Sequence, residues 1–244
     1  MSKFVFCPLM FICCFFTRCA DDNMIGDIPD GLIVTQGECL PDVEDRYVYP
    51  VIYGTEEWYS ASMEEREELS QLSGDRIKTL SSYALIRSLL DKPRIWLDYL
   101  LSSSLSPVAI CDRIIFSSHN SVPEFEKRGD RVQALISYYA VVSLNCYGQT
   151  DFDTQLKVLE VWFIRDAILH AMNDAQRKQA VALLLQKHKK KQSYNQATLV
   201  AMAWIMYEDR YPPIVEHYKT IKLTKEHYFE KKDNIISFAK KYCD

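Results

Sequence analysis

The sequence predicts an all-α domain, an irregular helical bundle or stacked helix pairs, preceded by an extended N-terminal arm. Three observations carry this expectation: apolar residues recur at helical spacing through most of the chain after residue 55, helix-start signals repeat, and the connections are short. Composition agrees with it. Of 244 residues, 48% are hydrophobic and 25% charged, with 7 Gly and 9 Pro, which excludes a disordered or collagen-like chain and allows a sizeable core.

The chain opens with Lys3 and an apolar run over residues 4–16. That run is too short for a membrane-spanning helix, which needs about 20 residues, and fits a secretory signal. Cys19 ends it and is followed by Ala20, Asp21, Asp22 and Asn23. This end resembles a bacterial lipoprotein signal, in which the cysteine becomes the lipidated first residue of the mature protein. The acidic pair resembles the export tag of surface lipoproteins in Bacteroidetes-type cells. Arg18 departs from the pattern, since Gly, Ala or Ser is favoured before the cysteine. The resemblance implies a signal peptide over 1–18, lipidation at Cys19, and a place at the outer membrane or cell surface, held to the membrane by lipid alone; otherwise the protein is periplasmic. A conventional cleaved signal or a buried N-terminal helix is the alternative.

Residues 19–54 read as a tether and extended arm, rich in Asp, Gly and Pro, with β-prone pieces at 32–34 and 47–53 that could pair. From 55 to 244 the spacing predicts nine helices, near 63–72, 81–91, 93–101, 107–117, 129–144, 153–171, 174–190, 195–209 and 225–242. Ser62 with Glu65 and Ser121 with Glu124 read as capping boxes, and Asn173 with Gln176 and Ser193 with Gln196 follow the same logic. Pro93 and Pro107 stand where first helical residues are expected. No fixed repeat period is present.

Three segments carry a further resemblance: Gly54-Thr55-Glu56-Glu57-Trp58, the stretch 79–86 from Thr79 to Ile86, and 120–128 from Asn120 to Arg128. Together they resemble an uncharacterised family of exported Bacteroidetes-type proteins over roughly residues 50–140. Ser82 stands where that pattern has Thr. The resemblance implies export and a helical fold, with no activity to carry over.

Charge is polarised. Losing Lys3 and Arg18 with the signal leaves 27 basic and 33 acidic side chains, net −6. Residues 19–124 hold 8 basic and 19 acidic groups, net −11, and residues 125–244 hold 19 and 14, net +5. Nucleic acid is excluded as a partner, because phosphate binding needs a concentrated basic face. Cys39, Cys111, Cys146 and Cys243 follow Cys19, and an oxidising compartment permits any of their three full pairings. Cys111 and Cys146 sit in apolar helical context, which favours buried thiols over a bridge between the two.

Motifs with chemistry attached are missing. The five histidines His119, His170, His188, His217 and His227 show no metal-ligand spacing, and neither a G-x-S-x-G nor a Gly-rich phosphate loop occurs, so no metal or cofactor is expected. Glu216-His217-Tyr218 recurs as Glu226-His227-Tyr228 and reads as solvated helix. Lys187, His188, Lys189, Lys190 and Lys191 read as a solvated helix end, where cations complement free carbonyls. The aromatic run around Tyr49 and Tyr53 with Trp58 and Tyr59 supplies candidate ligand-binding aromatics, the plainer alternative being packing over the first helices. The functional expectation is therefore a binding or assembly module in the cell envelope, with an envelope protein or glycan as partner. The alternative is an envelope enzyme gathering at least two of His119, Glu160, Asp166 and His170 in one concave pocket.

Overall fold

Eight of the nine residues of α4 (Ser82–Leu90) are buried, packed by the helices Ser121–Phe125 and Arg131–Val141 and by the arm. The structure, a computed structural model, describes residues 28–102, 104–191, 195–219, 223–225 and 234–244. The signal and Cys19 lie outside the described residues, as do Ser193 and His227. Among the described residues no helix is long and apolar enough to cross a membrane.

The fold is all-α, with one small antiparallel pair in the arm, β1 (Leu32–Ile33) against β2 (Asp42–Val43). The expected partner at 47–53 forms no strand. Three short helices follow, α1 (Glu56–Ser60), α2 (Met63–Leu69) and α3 (Gly74–Thr79), of which α1 and α3 went unpredicted because each is under two turns. Ser62 and Glu65 close the expected capping box at the start of α2. Next to α4 come α5 (Ile95–Leu101) and α6 (Pro107–Ile110), with Pro107 in the first turn and a π-helical continuation at Cys111–Phe116. Then come α7 (Ser121–Phe125), α8 (Arg131–Val141), α9 (Thr150–Trp162), α10 (Asp166–Leu169), α11 (Asp174–Lys190), α12 (Gln196–Glu208), α13 (Pro212–His217) and α14 (Ile235–Cys243).

Two expectations fail for physical reasons. The helix predicted over 153–171 breaks between α9 and α10, where Arg165 takes an extended backbone (φ −70°, ψ 139°) and its guanidinium pairs with Glu126 and, at 2.9 Å, with Asp112, 4.8 Å from the Phe116 ring. Ser121 caps nothing; it is buried inside α7 and bonds His119 instead.

α4 packs on α7 and α8, while α9, α11 and α12 form a second layer on which α14 lies. One continuous core joins both layers. Trp162 sits in it with Phe125 at 4.8 Å and Phe116 at 5.4 Å between ring centroids.

The arm is stapled across this core. Arg87 Nη1 and the Tyr138 hydroxyl donate to the Pro41 carbonyl at 2.8 and 3.3 Å, and Ser143 N–H donates to the Cys39 carbonyl at 2.9 Å. Asp45 accepts from the N–H and hydroxyl of Ser81, the N-cap of α4. A disulfide joins Cys39 to Cys146 across 107 residues. Cys146 is thus bridged to the arm, contrary to its reading as a buried thiol, whereas Cys111 is a buried free thiol as expected.

Closing a loop of about 100 residues removes enough unfolded-chain entropy to contribute roughly 4–5 kcal/mol in the chain-entropy account. Replacing Cys39 and Cys146 by Ser is expected to cost about 2–5 kcal/mol in denaturant unfolding followed by circular dichroism. An unchanged midpoint would show that the bridge contributes nothing to global stability.

Candidate functional site

Two buried polar clusters and one exposed apolar face stand out from the ordinary packing. The first cluster is centred on Glu160, whose side chain is fully buried in α9. Tyr139 from α8 donates its hydroxyl to Oε1 at 2.8 Å, and Thr198 from α12 donates to Oε2 at 2.8 Å. Lys191, just past α11, forms an ion pair with Oε1 and donates to the Thr198 hydroxyl at 3.0 Å. Lys187 sits one turn earlier and donates to the carbonyls of Val142 at 2.5 Å and Ala140 at 3.4 Å, the open end of α8. The solvated lysine run expected here is therefore half wrong: Lys189 and Lys190 are exposed, but Lys187 and Lys191 are sealed inside.

Burial, with Lys191 and Lys190 nearby, pushes the Lys187 ammonium down to about 7. Burial beside Lys191 lowers His188 as well. The Tyr139 hydroxyl is raised by burial and by the Glu160 charge it faces. These groups neutralise and tie four helices together, and their enclosure leaves a substrate no approach.

The second cluster ties the arm to α7. The Tyr49 hydroxyl donates to the Ser88 carbonyl at 2.8 Å, so it accepts from His119 Nε2 at 2.7 Å, and His119 Nδ1 then accepts from the Ser121 hydroxyl at 2.7 Å. Burial pushes His119 down to about 3, with Lys92 adding to the shift, so the ring is neutral and its two nitrogens hold different roles. Of the four groups named for an enzyme, His119 and Glu160 are core groups in separate clusters. Asp166 and His170 are neighbours on the surface at α10, where Asp166 pairs with Lys225 at 2.7 Å. A groove of about 640 Å³ lies at α12 and α13, lined by Tyr207, Glu208, Arg210, Pro212, Val215 and Glu216. Among the described residues no group of three His, Cys, Asp or Glu is placed to hold a metal ion.

The four candidate aromatics separate. Tyr49 and Trp58 belong to the core, Trp58 being 1% exposed, so neither presents a face to a ligand. Tyr53 is half-buried and Tyr59 is 60% exposed. Tyr53 meets Tyr59, Trp58 and Trp96 with centroids 5.9–6.2 Å apart and interplanar angles of 63–87°, an edge-to-face cluster without the coplanar rings of a sugar platform.

Trp96 brings in α5, Ile95-Trp96-Leu97-Asp98-Tyr99-Leu100-Leu101, which is apolar nearly all round. Its inner side, Ile95 with Tyr99, packs toward α9 and the π-helical turn; Lys157 of α9 lies 4.9 Å from the Tyr99 ring. The 100° step per residue places Leu97, Leu100 and Leu101 on the opposite side with Trp96 at its edge, and of these Trp96 and Leu97 are half-buried. Leu100 is 51% and Leu101 76% exposed, and Ile52 beside Tyr53 is 65% exposed. A helix apolar on every side is ordinarily covered on every side. Trp96 and the leucines were missed in the sequence, although the absence of a polar outer face in this segment was the available signal.

For the interior, Lys191→Met strands a buried carboxylate and is expected to destabilise by about 3–5 kcal/mol, and combining it with Glu160→Gln should recover most of that loss. Lys187 gives a pH signature. Its proton is lost at about 7 when folded against 10.5 for an ordinary lysine, so between those values the unfolded chain binds the extra proton and stability rises with pH. Relative to Lys187→Met, the native chain should gain up to about 1.4 kcal/mol per pH unit above pH 7 in urea unfolding; parallel pH profiles would refute a depressed Lys187. No protein-family model matches the chain, and no curated protein or solved structure is significantly similar to it.

Proposed function

We propose that this chain is an exported, lipid-anchored helical binding or assembly module of the cell envelope, and that its contact surface is the outer side of α5 with Ile52, Tyr53 and Tyr59. The carrying observation is that Leu100 and Leu101 are exposed on the side of α5 away from the core, next to the half-buried Trp96 and Leu97. Clustered exposed apolar side chains mark protein contact sites, and large aromatic anchors at their centre carry most of the binding energy. The edge-to-face ring arrangement favours a protein partner over a glycan. The enzyme alternative loses ground because His119 and Glu160 are spent on internal bonds.

Export is supported by the apolar run ending at Cys19 and by the Cys39–Cys146 bridge, since structural disulfides persist in oxidising compartments. With lipid on Cys19, the nine residues to Ile28 reach at most about 30 Å, which keeps the domain close to the membrane that holds it.

The reading is tested with a photo-crosslinking residue at position 101 and, as a control, at exposed Lys190. Irradiation of native cells should give a reproducible adduct from position 101 and none from position 190. No adduct at 101, or the same adducts at both positions, would sink it. Separately, Cys19→Ala should abolish incorporation of labelled fatty acid; unchanged labelling would contradict the anchor.

A further inference from the structure

The connection between α8 and α9 is wedged between the disulfide and both buried lysines. Val142, at its start, accepts from Lys187 Nζ at 2.5 Å, and the next residue, Ser143, donates its N–H to the Cys39 carbonyl at 2.9 Å. Cys146 is bridged to Cys39, and the residue after it, Tyr147, sets its ring centroid 6.0 Å from Lys191 Nζ. Over 142–147 the chain thus turns twice to the lysines and twice to Cys39. Asn145 is exposed, and Ser143, Leu144, Cys146 and Tyr147 are half-buried, so this single layer of chain separates that side of the Glu160 cluster from solvent. The arm has fastenings besides the bridge: Arg87 and Tyr138 hold Pro41, Asp45 holds Ser81, and Tyr49 holds Ser88. Apart from Cys39 and the lysines, the connection is tied onward to α9, where the Gly148 N–H donates to Asp153 at 3.0 Å.

We infer that the Cys39–Cys146 bridge is a redox latch on this connection: reduction by a dithiol frees residues 143–147 and admits water to Lys187 and Lys191, while the arm and the helices keep their places. The exchange passes through a mixed disulfide and ends with two protein thiols and one oxidised dithiol, each protein sulfur having gained one electron and one proton. A further proton is linked to it. In the closed state burial, with Lys191 and Lys190 adding and Glu160 opposing, brings Lys187 down to about 7. Of the other groups around it, Tyr139 of α8 has its ring 5.1 Å from Nζ, His188 follows in the same helix, and α12 presents the uncharged Thr198. α14 carries Lys240 and Lys241 to the other end of α11, where Lys178 Nζ lies 6.0 Å from the Tyr242 ring. Water at Nζ removes the largest of these effects, which returns Lys187 toward 10.5. Between those two values, opening the latch takes up a proton at Lys187.

The test titrates the full chain with ¹³C-labelled lysines by NMR, Lys187 being assigned by the resonance lost in Lys187→Arg. Three states are compared: bridged, reduced with dithiothreitol, and Cys39→Ser with Cys146→Ser. The Lys187 midpoint should stand near 7 in the bridged chain and rise by at least about one pH unit in the other two, with a helical circular dichroism spectrum in all three. Amide exchange over 143–147 should accelerate by at least about tenfold on reduction, while the slowest amides of α8 and α9 keep their protection. A midpoint that stays near 7 without the bridge, or one already ordinary in the bridged chain, would overturn the latch. A midpoint that rises without faster exchange over 143–147 would overturn it as well, because the shift would then arise without opening. Loss of the helical spectrum on reduction would contradict an opening confined to the connection.

Discussion

The structure depends most on a single buried carboxylate. Glu160 carries a charge to the centre of the second layer, and a charge there persists only if every lone pair is met. Tyr139, Thr198 and Lys191 meet them from α8, α12 and the end of α11. Because each partner comes from a different helix, satisfying one carboxylate sets the relative placement of four. Lys187 extends the constraint by closing the carbonyl end of α8 from α11. Apolar packing alone tolerates slippage between helices; this set of bonds has one arrangement.

A second constraint fastens the arm to the interior so fixed. Cys146 lies in the connection between α8 and α9 and holds Cys39, while Arg87 and Tyr138 hold Pro41 and the chain Ser88–Tyr49–His119–Ser121 holds the arm against α4 and α7. The arm then delivers Ile52 and Tyr53 to the edge of α5. The exposed face is therefore assembled from segments about 40 residues apart in sequence, and its geometry is inherited from the core. Polar groups with shifted proton affinities serve that inheritance, so they are read as framework for the proposed contact surface.

Much of the helical layer was legible in the residues. The bounds of α11 could be read because an N-terminal capping pair and a basic C-terminal turn both mark them locally. The α9 break could not, since the periodicity continues through Arg165, while the partners its extended backbone reaches, Asp112 and Glu126, are brought in only by the fold. Lys187 and Lys191 looked solvated for the same reason: a helix-end lysine run shows its charge, but not the carboxylate 31 residues earlier that encloses one of them. The Cys39 pairing was open among three choices, and Tyr49 and Trp58 could not be separated from Tyr53 and Tyr59 until burial distinguished them. The α5 face was within reach, because a seven-residue segment with one charged side chain leaves no polar side for solvent.

The most direct test of this account is native-state hydrogen exchange on the wild-type chain and on Lys191→Met. The account predicts that the slowest amides of α8, α9, α11 and α12 lose protection together, by a common free energy, while arm amides next to Cys39 lose less than these. Loss confined to the last turn of α11, or an equal loss throughout the chain, would contradict a Glu160-centred junction of four helices.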